Sequence, residues 1–446
     1  MFLLVAKEAS STTARFFAAA VREQNPPGPA VLQIDGRPAI NFPAWTEVTP
    51  GGVSIRTSEV VAAGLVPGKS YPAQLIVGGI SVERASVKTH PQSLPRFGDP
   101  PFRVLLGSCF CLEKDKAGTA GRRVVQLPAD AQPDMNILCG DQVYLDAPWY
   151  DFTLNRLSKN EIERRTAEKY ERAWSPDANG WGFAGILERG PNYFLADDHE
   201  LWNNAPFKSF ALNTWDQASR DDWKRVALEL YRLFQSPRAT HEFSVGQLSF
   251  YLADTRVSRE GDLDGSFLAP NDLRDLRRWI GHLTGPGVLV LGQPLFTKPA
   301  KSFWKPEVFS DYGLPDYEAQ YRELVQAVTS TSHSIIVLTG DVHFGRVSWC
   351  PLPNGAEIIE IISSPLSLVD ARAGKKWERP PDTFPYVDMP GAPARTVLTA
   401  GALQEWVDHF LTLDFSATGN VVSLAVDFYA IDSTAPARRV FTTNLI

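Results

Sequence analysis

Apolar and polar residues alternate from about Pro29 to Thr89, in runs such as VSIRTSEV, YPAQLIVGG and ISVERASVKT set apart by the turn-forming GLVPGKS. Period-two alternation broken by Gly and Pro marks half-buried antiparallel strands, so this region is expected to form a small antiparallel β-sandwich. It runs into HPQSLPRFGDPP, residues 90–101, whose four prolines disfavour helix. We place a boundary there, with an accessory β-sandwich domain over 1–95 and a second domain over 101–446. In that second part the pattern changes: FRVLLGSCF, DMNILCGD, GVLVLGQP and SIIVLTGD are apolar runs that end in small or polar residues. Amphipathic helical stretches alternate with them. In one, Ser219 is placed to cap a helix with Asp221 and Asp222 in its first turn and Trp223, Val226, Ala227, Leu230 and Phe234 on one face. A similar helix fits Tyr317 to Val328, and VVSLAVDFYAI with ARRVFTTNLI reads as a closing hairpin. Buried strands alternating with helices predict an α/β fold.

The 446 residues suffice for a large core, and 44% hydrophobic with 21% charged residues is the composition of a globular chain. A formal charge of -7 without a basic tract argues against duplex nucleic acid as a partner. The longest apolar runs, Gly287 to Leu291 and Ile335 to Leu338, fall far short of the about 20 residues that span a bilayer, so no membrane span is expected. The start, MFLLVAKEASSTTARFF, lacks the layout of a signal peptide, which gives a cytoplasmic expectation; a secreted chain trimmed of its leader would look the same. Cys109, Cys111, Cys139 and Cys350 are too few and too dispersed for a disulfide framework.

The chemistry gathers at strand ends. ILCGDQVYLD, NYFLADDHELWNN and IIVLTGDVHFG each finish an apolar run on glycine or an acidic cluster, and VLLGSCF brings Ser108 and Cys109 to a fourth such end. Active-site groups of α/β proteins collect beyond the carboxyl ends of strands, so these groups are expected to face one crevice. Carboxylate, imidazole, phenol and thiol together can hold metals of different character, and two-metal sites are a common means of hydrolysing phosphate esters. Singly, each element has a plainer reading: a Gly-Asp after a strand is usually a turn, and a Cys in an apolar strand is usually core. No GxSxG, GxxxxGK[ST], HExxH or CxxC motif offers another chemistry, and Asp262-Leu-Asp264-Gly lacks the rest of a calcium loop.

Together, and in this order, the GSC of Cys109, the GDQVYLD of Asp141 and Tyr144, the DDHE of Asp198 and His199 and the GDVH of Asp341 and His343 resemble the motifs of the alkaline phosphatase D family, the PhoD-type branch of the calcineurin-like metallophosphoesterases. LADTR at Leu252 to Arg256 and GLVPGKSY are similar to further family segments, and the likeness covers roughly residues 30 to 370. The resemblance implies a metallophosphoesterase-type αββα sandwich behind the small β-sandwich, and hydrolysis of a phosphate-ester substrate by in-line attack of a metal-bound hydroxide. It further implies that Asp141 bridges two metals, that Cys109, Tyr144 and His343 complete an Fe3+ site, and that Asp198 and Asp341 hold a divalent metal. His199 would serve the leaving group. Two departures bear on the second metal. Asp198 stands where the wider superfamily has Asn, and Asp341 where many relatives have His. The oxygen-rich set favours Ca2+, with Mg2+, Mn2+ or Zn2+ as alternatives.

Arg256 is a candidate for binding substrate phosphate or for pairing with a buried carboxylate, and the second reading is preferred. Asp146 and Asn204 are placed to orient ligands. His90, His241, His282, His333 and His409 read as structural or surface residues, and Ala371 to Pro393 as a loop over the crevice. The alternatives are a diesterase specific for nucleotides or phospholipid head groups, and a metal-binding module without turnover. Nothing in the chain specifies an oligomeric state.

Overall fold

The computed structural model describes residues 1–446 apart from 24–26, 149–151, 177–180, 210–211, 213, 301–310, 369–373, 375–376 and 401–405. Two large sheets lie face to face. In the first, Asn192–Leu195, Met135–Cys139 and Phe102–Gly107 run parallel, and His409–Thr418, Val421–Ala430 and Arg438–Leu445 continue it antiparallel. The second sheet is centred on the parallel strands Leu248–Ala253, Gly287–Val290, Ile335–Thr339 and Glu357–Ile362. Thr240–Val245 flanks it on one side, and Arg346–Pro351 with Leu398–Thr399 on the other.

The continuous apolar runs of these strands follow from burial on both faces. In the first sheet Val104, Leu106 and Ile137 point to the second sheet, while their neighbours Leu105 and Leu138 point to the helices outside. In the second, Val288, Val290, Ile336 and Leu338 point inward, whereas Leu289, Leu291, Ile335 and Val337 face the opposite helices. Lys159–Trp174 and Gln217–Phe234 cover the first sheet, and Pro270–Gly281 and Glu318–Thr329 cover the second. The result is an αββα sandwich.

Ahead of it stand two smaller sheets. Phe2–Ala9, Thr13–Val21, Ile55–Ala63 and Thr46–Val48 form one, and Ala30–Ile34, Ile40–Asn41, Ser70–Val77 and Ile80–Lys88 form the other, which Arg189–Gly190 extends. A core that includes Leu4, Phe16, Leu32 and Leu75 lies between them. The strands of this sandwich begin at Phe2, ahead of the alternating stretch that starts near Pro29. The strands FLLVA and TARFFAAAV show no alternation because their other face, with Leu3, Val5, Phe17 and Ala19, packs into the same core as Trp174 and Phe234 of the covering helices. The helix expected to start at Ser219 starts at Gln217: Asp216 is its cap, and its carboxylate accepts the Ser219 N–H at 2.8 Å. Among the described residues no helix is long and apolar enough to cross a membrane. Part of the 371–393 loop lies outside the described residues; further along, Thr383–Phe384 pairs with Arg395–Thr396.

Candidate metal centre

Each strand end named by the sequence pattern delivers its side chain to one buried cluster. Cys109 follows Phe102–Gly107, Asp141 follows Met135–Cys139, Asp198 follows Asn192–Leu195 and Asp341 follows Ile335–Thr339. Close approach of these ends depends on glycine at two points. A Cβ on Gly140 would lie 2.5 Å from the Asp197 Cβ, and one on Gly340 would lie 2.4 Å from the Ser108 Cβ. The residues that follow turn sharply. Of the seven described non-glycine residues with positive φ, five are Cys109, Asp141, Asn204, Asp341 and His343, at 52° to 66°. Left-handed backbone is strained for a residue with a Cβ and gathers where surrounding structure holds a functional group in place.

Asp141 is at the centre and fully buried. Its Oδ2 accepts from the Cys109 thiol at 3.4 Å and the Tyr144 hydroxyl at 3.3 Å, and its Oδ1 accepts the His199 backbone N–H at 3.1 Å. Ligand atoms of Asp141, Asp198 and His199 all lie within 4.8 Å of one another, a grouping able to hold a metal ion. The Cys109 sulfur also lies 3.4 Å from the Asp341 carbonyl oxygen and receives the Ser364 hydroxyl at 3.1 Å. Ser364 in turn accepts the His343 backbone N–H at 2.9 Å, which ties the His343 turn to the cluster while its imidazole stays half-buried.

The His199 imidazole is fixed from one side. Asp146 Oδ1 holds Nδ1 at 2.7 Å, Tyr144 stacks on the ring at a centroid distance of 4.1 Å, and Nε2 lies 4.0 Å from Asp198 Oδ1. Asp146 is itself anchored by the Asn203 N–H at 2.8 Å. Asp198 Oδ2 accepts the Asn204 N–H at 2.5 Å, while its Oδ1 is buried with no hydrogen-bond partner among the described residues. Arg256 is buried at 1% exposure, with its guanidinium on Asp197, on the Ala205 carbonyl at 2.7 Å and on Asp311 at 3.5 Å. That geometry is a buried ion pair bracing the Asp197 turn.

The charge balance of the cluster points to a cation. Burial pushes the carboxyl of Asp141 well above the usual range; His199 opposes this, and the carboxylates of Asp198, Asp197 and Glu200 reinforce it. Asp341 is pushed up by burial and then by Asp197, Asp311, Asp198 and Asp141. Burial likewise raises the Cys109 thiol and the Tyr144 phenol, and the neighbouring acids add to both. Acids that resist ionising beside one another, together with an unpartnered buried carboxylate oxygen, make a donor set suited to bound positive charge. His199 shows the converse. Burial alone lowers its pKa, but Asp146, Asp198 and Asp141 outweigh that and hold it well above the ordinary histidine value.

Three residues of the cluster escaped the sequence reading. Glu200, fully buried, accepts the backbone N–H groups of Asp141, Gln142, Val143 and Asp197. Gln293 donates to Asp341 at 3.2 Å and to Asp311 at 2.9 Å while accepting from Arg259 at 2.8 Å. Gln293 ends the run GVLVLGQP and shares its signal with the other strand ends; Asp311 has no comparable mark. Away from the cluster, His90 and His409 are buried and held near pKa 4 chiefly by desolvation, as structural histidines are.

No protein-family model matches the chain, and no curated protein matches it. Among solved structures, one described as "Structure of PhoD" is similar over 99% of this chain and 92% of its own, with a TM-score of 0.64 and 17% sequence identity. The chain therefore has a PhoD-like fold. An amylomaltase from Corynebacterium glutamicum also matches, over 76% of this chain and 56% of its own at 11% identity, but its TM-score of 0.15 carries no argument.

Proposed function

We propose that this chain is a metal-dependent phosphoesterase. The observation that carries the reading is the convergence of Cys109, Asp141, Asp198 and Asp341, from four strand ends, on one acidic cluster beside the imidazole of His199. In this reading Asp141 would help to hold both of two metals. Cys109, Tyr144 and His343 suit Fe3+, and Asp198 with Asp341 suits a hard divalent ion, Ca2+ before Mg2+, Mn2+ or Zn2+. When bound, such metals supply the positive charge that offsets the oxygens of a phosphate ester and activates water for in-line attack.

The chain's own part is positioning and proton transfer. Asp146 holds the His199 ring through Nδ1, which aims Nε2 into the space beside Asp198. When protonated, an imidazole held there can give its proton to the leaving-group oxygen, a contribution of about 10²- to 10⁴-fold. Asn204 and Gln293 keep the Asp198 and Asp341 carboxylates turned inward. Arg256, occupied by Asp197, has no part in substrate binding in this reading.

The test is hydrolysis of p-nitrophenyl phosphate and bis-p-nitrophenyl phosphate by the purified chain, before and after chelation and again with metal restored. Turnover of either ester that is lost on chelation and regained with metal supports the assignment, and the better substrate of the two decides between monoesterase and diesterase. Absence of turnover on both esters in metal-loaded protein would leave a binding module and sink the proposal.

A further inference from the structure

Glu200 has no role in the metal set or in the proton step, yet it is fully buried in the centre. Its Oε2 accepts the N–H groups of Asp141 at 2.7 Å and Asp197 at 2.9 Å, and its Oε1 those of Gln142 at 2.6 Å and Val143 at 3.3 Å. A helix-capping role accounts for only one of these bonds, the return to Asp197 at the start of the short turn 198–200. The other three come from a different strand end. One carboxylate thus clamps the turn that carries Asp141 to the turn that carries Asp198. The Gln235 amide, just past the end of the helix Gln217–Phe234, lies 3.5 Å from Oε1. Asp141 stands at φ 60°, and three successive N–H groups leave its turn toward Glu200, so the left-handed conformation and the clamp belong together.

We infer that Glu200 is a positioning residue: by joining the Asp141 and Asp197 turns it sets the separation of the Asp141 and Asp198 carboxylates, and with it metal affinity, without being a ligand. This rests on the metal reading above. Groups that orient ligands typically contribute about 10- to 100-fold in metal affinity when removed. Glutamine in this place keeps the shape but turns an amide NH2 toward N–H donors, so two of the four bonds lose their acceptor.

The test uses the full chain, stripped of metal by chelation and titrated with Mn2+ in a calorimeter, as wild type, Glu200→Gln and Glu200→Asp. Melting of the metal-free forms is followed alongside. The expected result is that Glu200→Gln melts cooperatively and binds Mn2+ about 10- to 100-fold more weakly than wild type, with Glu200→Asp in between. Wild-type affinity in Glu200→Gln would overturn the inference and leave the metal reading intact. So would loss of cooperative melting in both variants, since the residue would then serve folding itself. A wild type that takes up no Mn2+ would instead bring down the metal reading, and this inference with it.

Discussion

Cys109 carries a thiol on left-handed backbone, at φ 56°, and its sulfur receives the Ser364 hydroxyl, while that of Ser108 goes to the Ser363 carbonyl at 2.9 Å. Replacing it with serine keeps the volume and removes the soft donor. In the proposed assignment Cys109→Ser remains folded but loses iron and visible absorption, which elemental analysis and a spectrum would register; an unchanged iron content would remove Cys109 from the metal set. His199→Ala is expected to keep its metal and to lose about 10²- to 10⁴-fold in turnover on an ester with a poor leaving group. Metal loss in that variant would make His199 a ligand instead, as its nearness to Asp141 and Asp198 also permits. These residues were legible because the chemistry sits at strand ends, where an apolar run stops on Gly and an acid. Glu200 was in plain view within DDHE, but its role depends on backbone N–H groups about 58 residues away, and no local pattern encodes that. Asp311 comes into the cluster through Arg256 and Gln293, contacts that only the folded chain makes.

Strands with one wet face were read from their alternation, and parallel strands from continuous apolar runs. Phe2–Ala9 and Thr13–Val21 belong to neither class in isolation, because each is packed on both faces by different layers. Lys7 shows how firmly this sheet is joined to the next layer. Its ammonium donates to the Leu233 carbonyl at 2.8 Å in the last turn of Gln217–Phe234, pairs with Glu59 at 3.4 Å and lies 4.0 Å from the Phe17 ring centroid. Burial lowers its pKa from 10.5 to about 8 despite the pull of Glu59. Between those values the unfolded chain holds the more protons, so Lys7 makes stability rise with pH from about 8 toward 10.5, at a slope of at most about 1.4 kcal/mol per pH unit. Denaturant titrations of wild type and Lys7→Met across that window should show the difference moving in favour of wild type as pH rises. A difference constant from pH 8 to 10 would contradict the assignment.

The boundary drawn near residues 90–101 separates two patterns of sequence, but beside its own core around Leu4, Phe16, Leu32 and Leu75 the leading sandwich shares a second one with the layers that follow. Leu3, Phe17 and Ile55 of the leading sheet share one cluster with Trp174, Phe194 and Phe234 of the sandwich, and Arg189–Gly190 pairs with the strand Ile80–Lys88. Burial shared in this way couples unfolding, and scanning calorimetry of the full chain is expected to give one cooperative transition. Two well-separated transitions would show the parts to be independent. The same coupling braces the turns of the acidic cluster, a setting in which left-handed backbone at Cys109, Asp141, Asn204, Asp341 and His343 is sustained. The proposed activity requires that cluster to hold metal. Elemental analysis of the native protein, paired with its absorption spectrum and with the same analysis of Asp141→Asn, tests it most directly. Iron and a second, divalent metal are expected in coloured wild-type protein and neither in the variant; a colourless wild type with no bound metal, or a variant with undiminished metal, would rule the metal centre out.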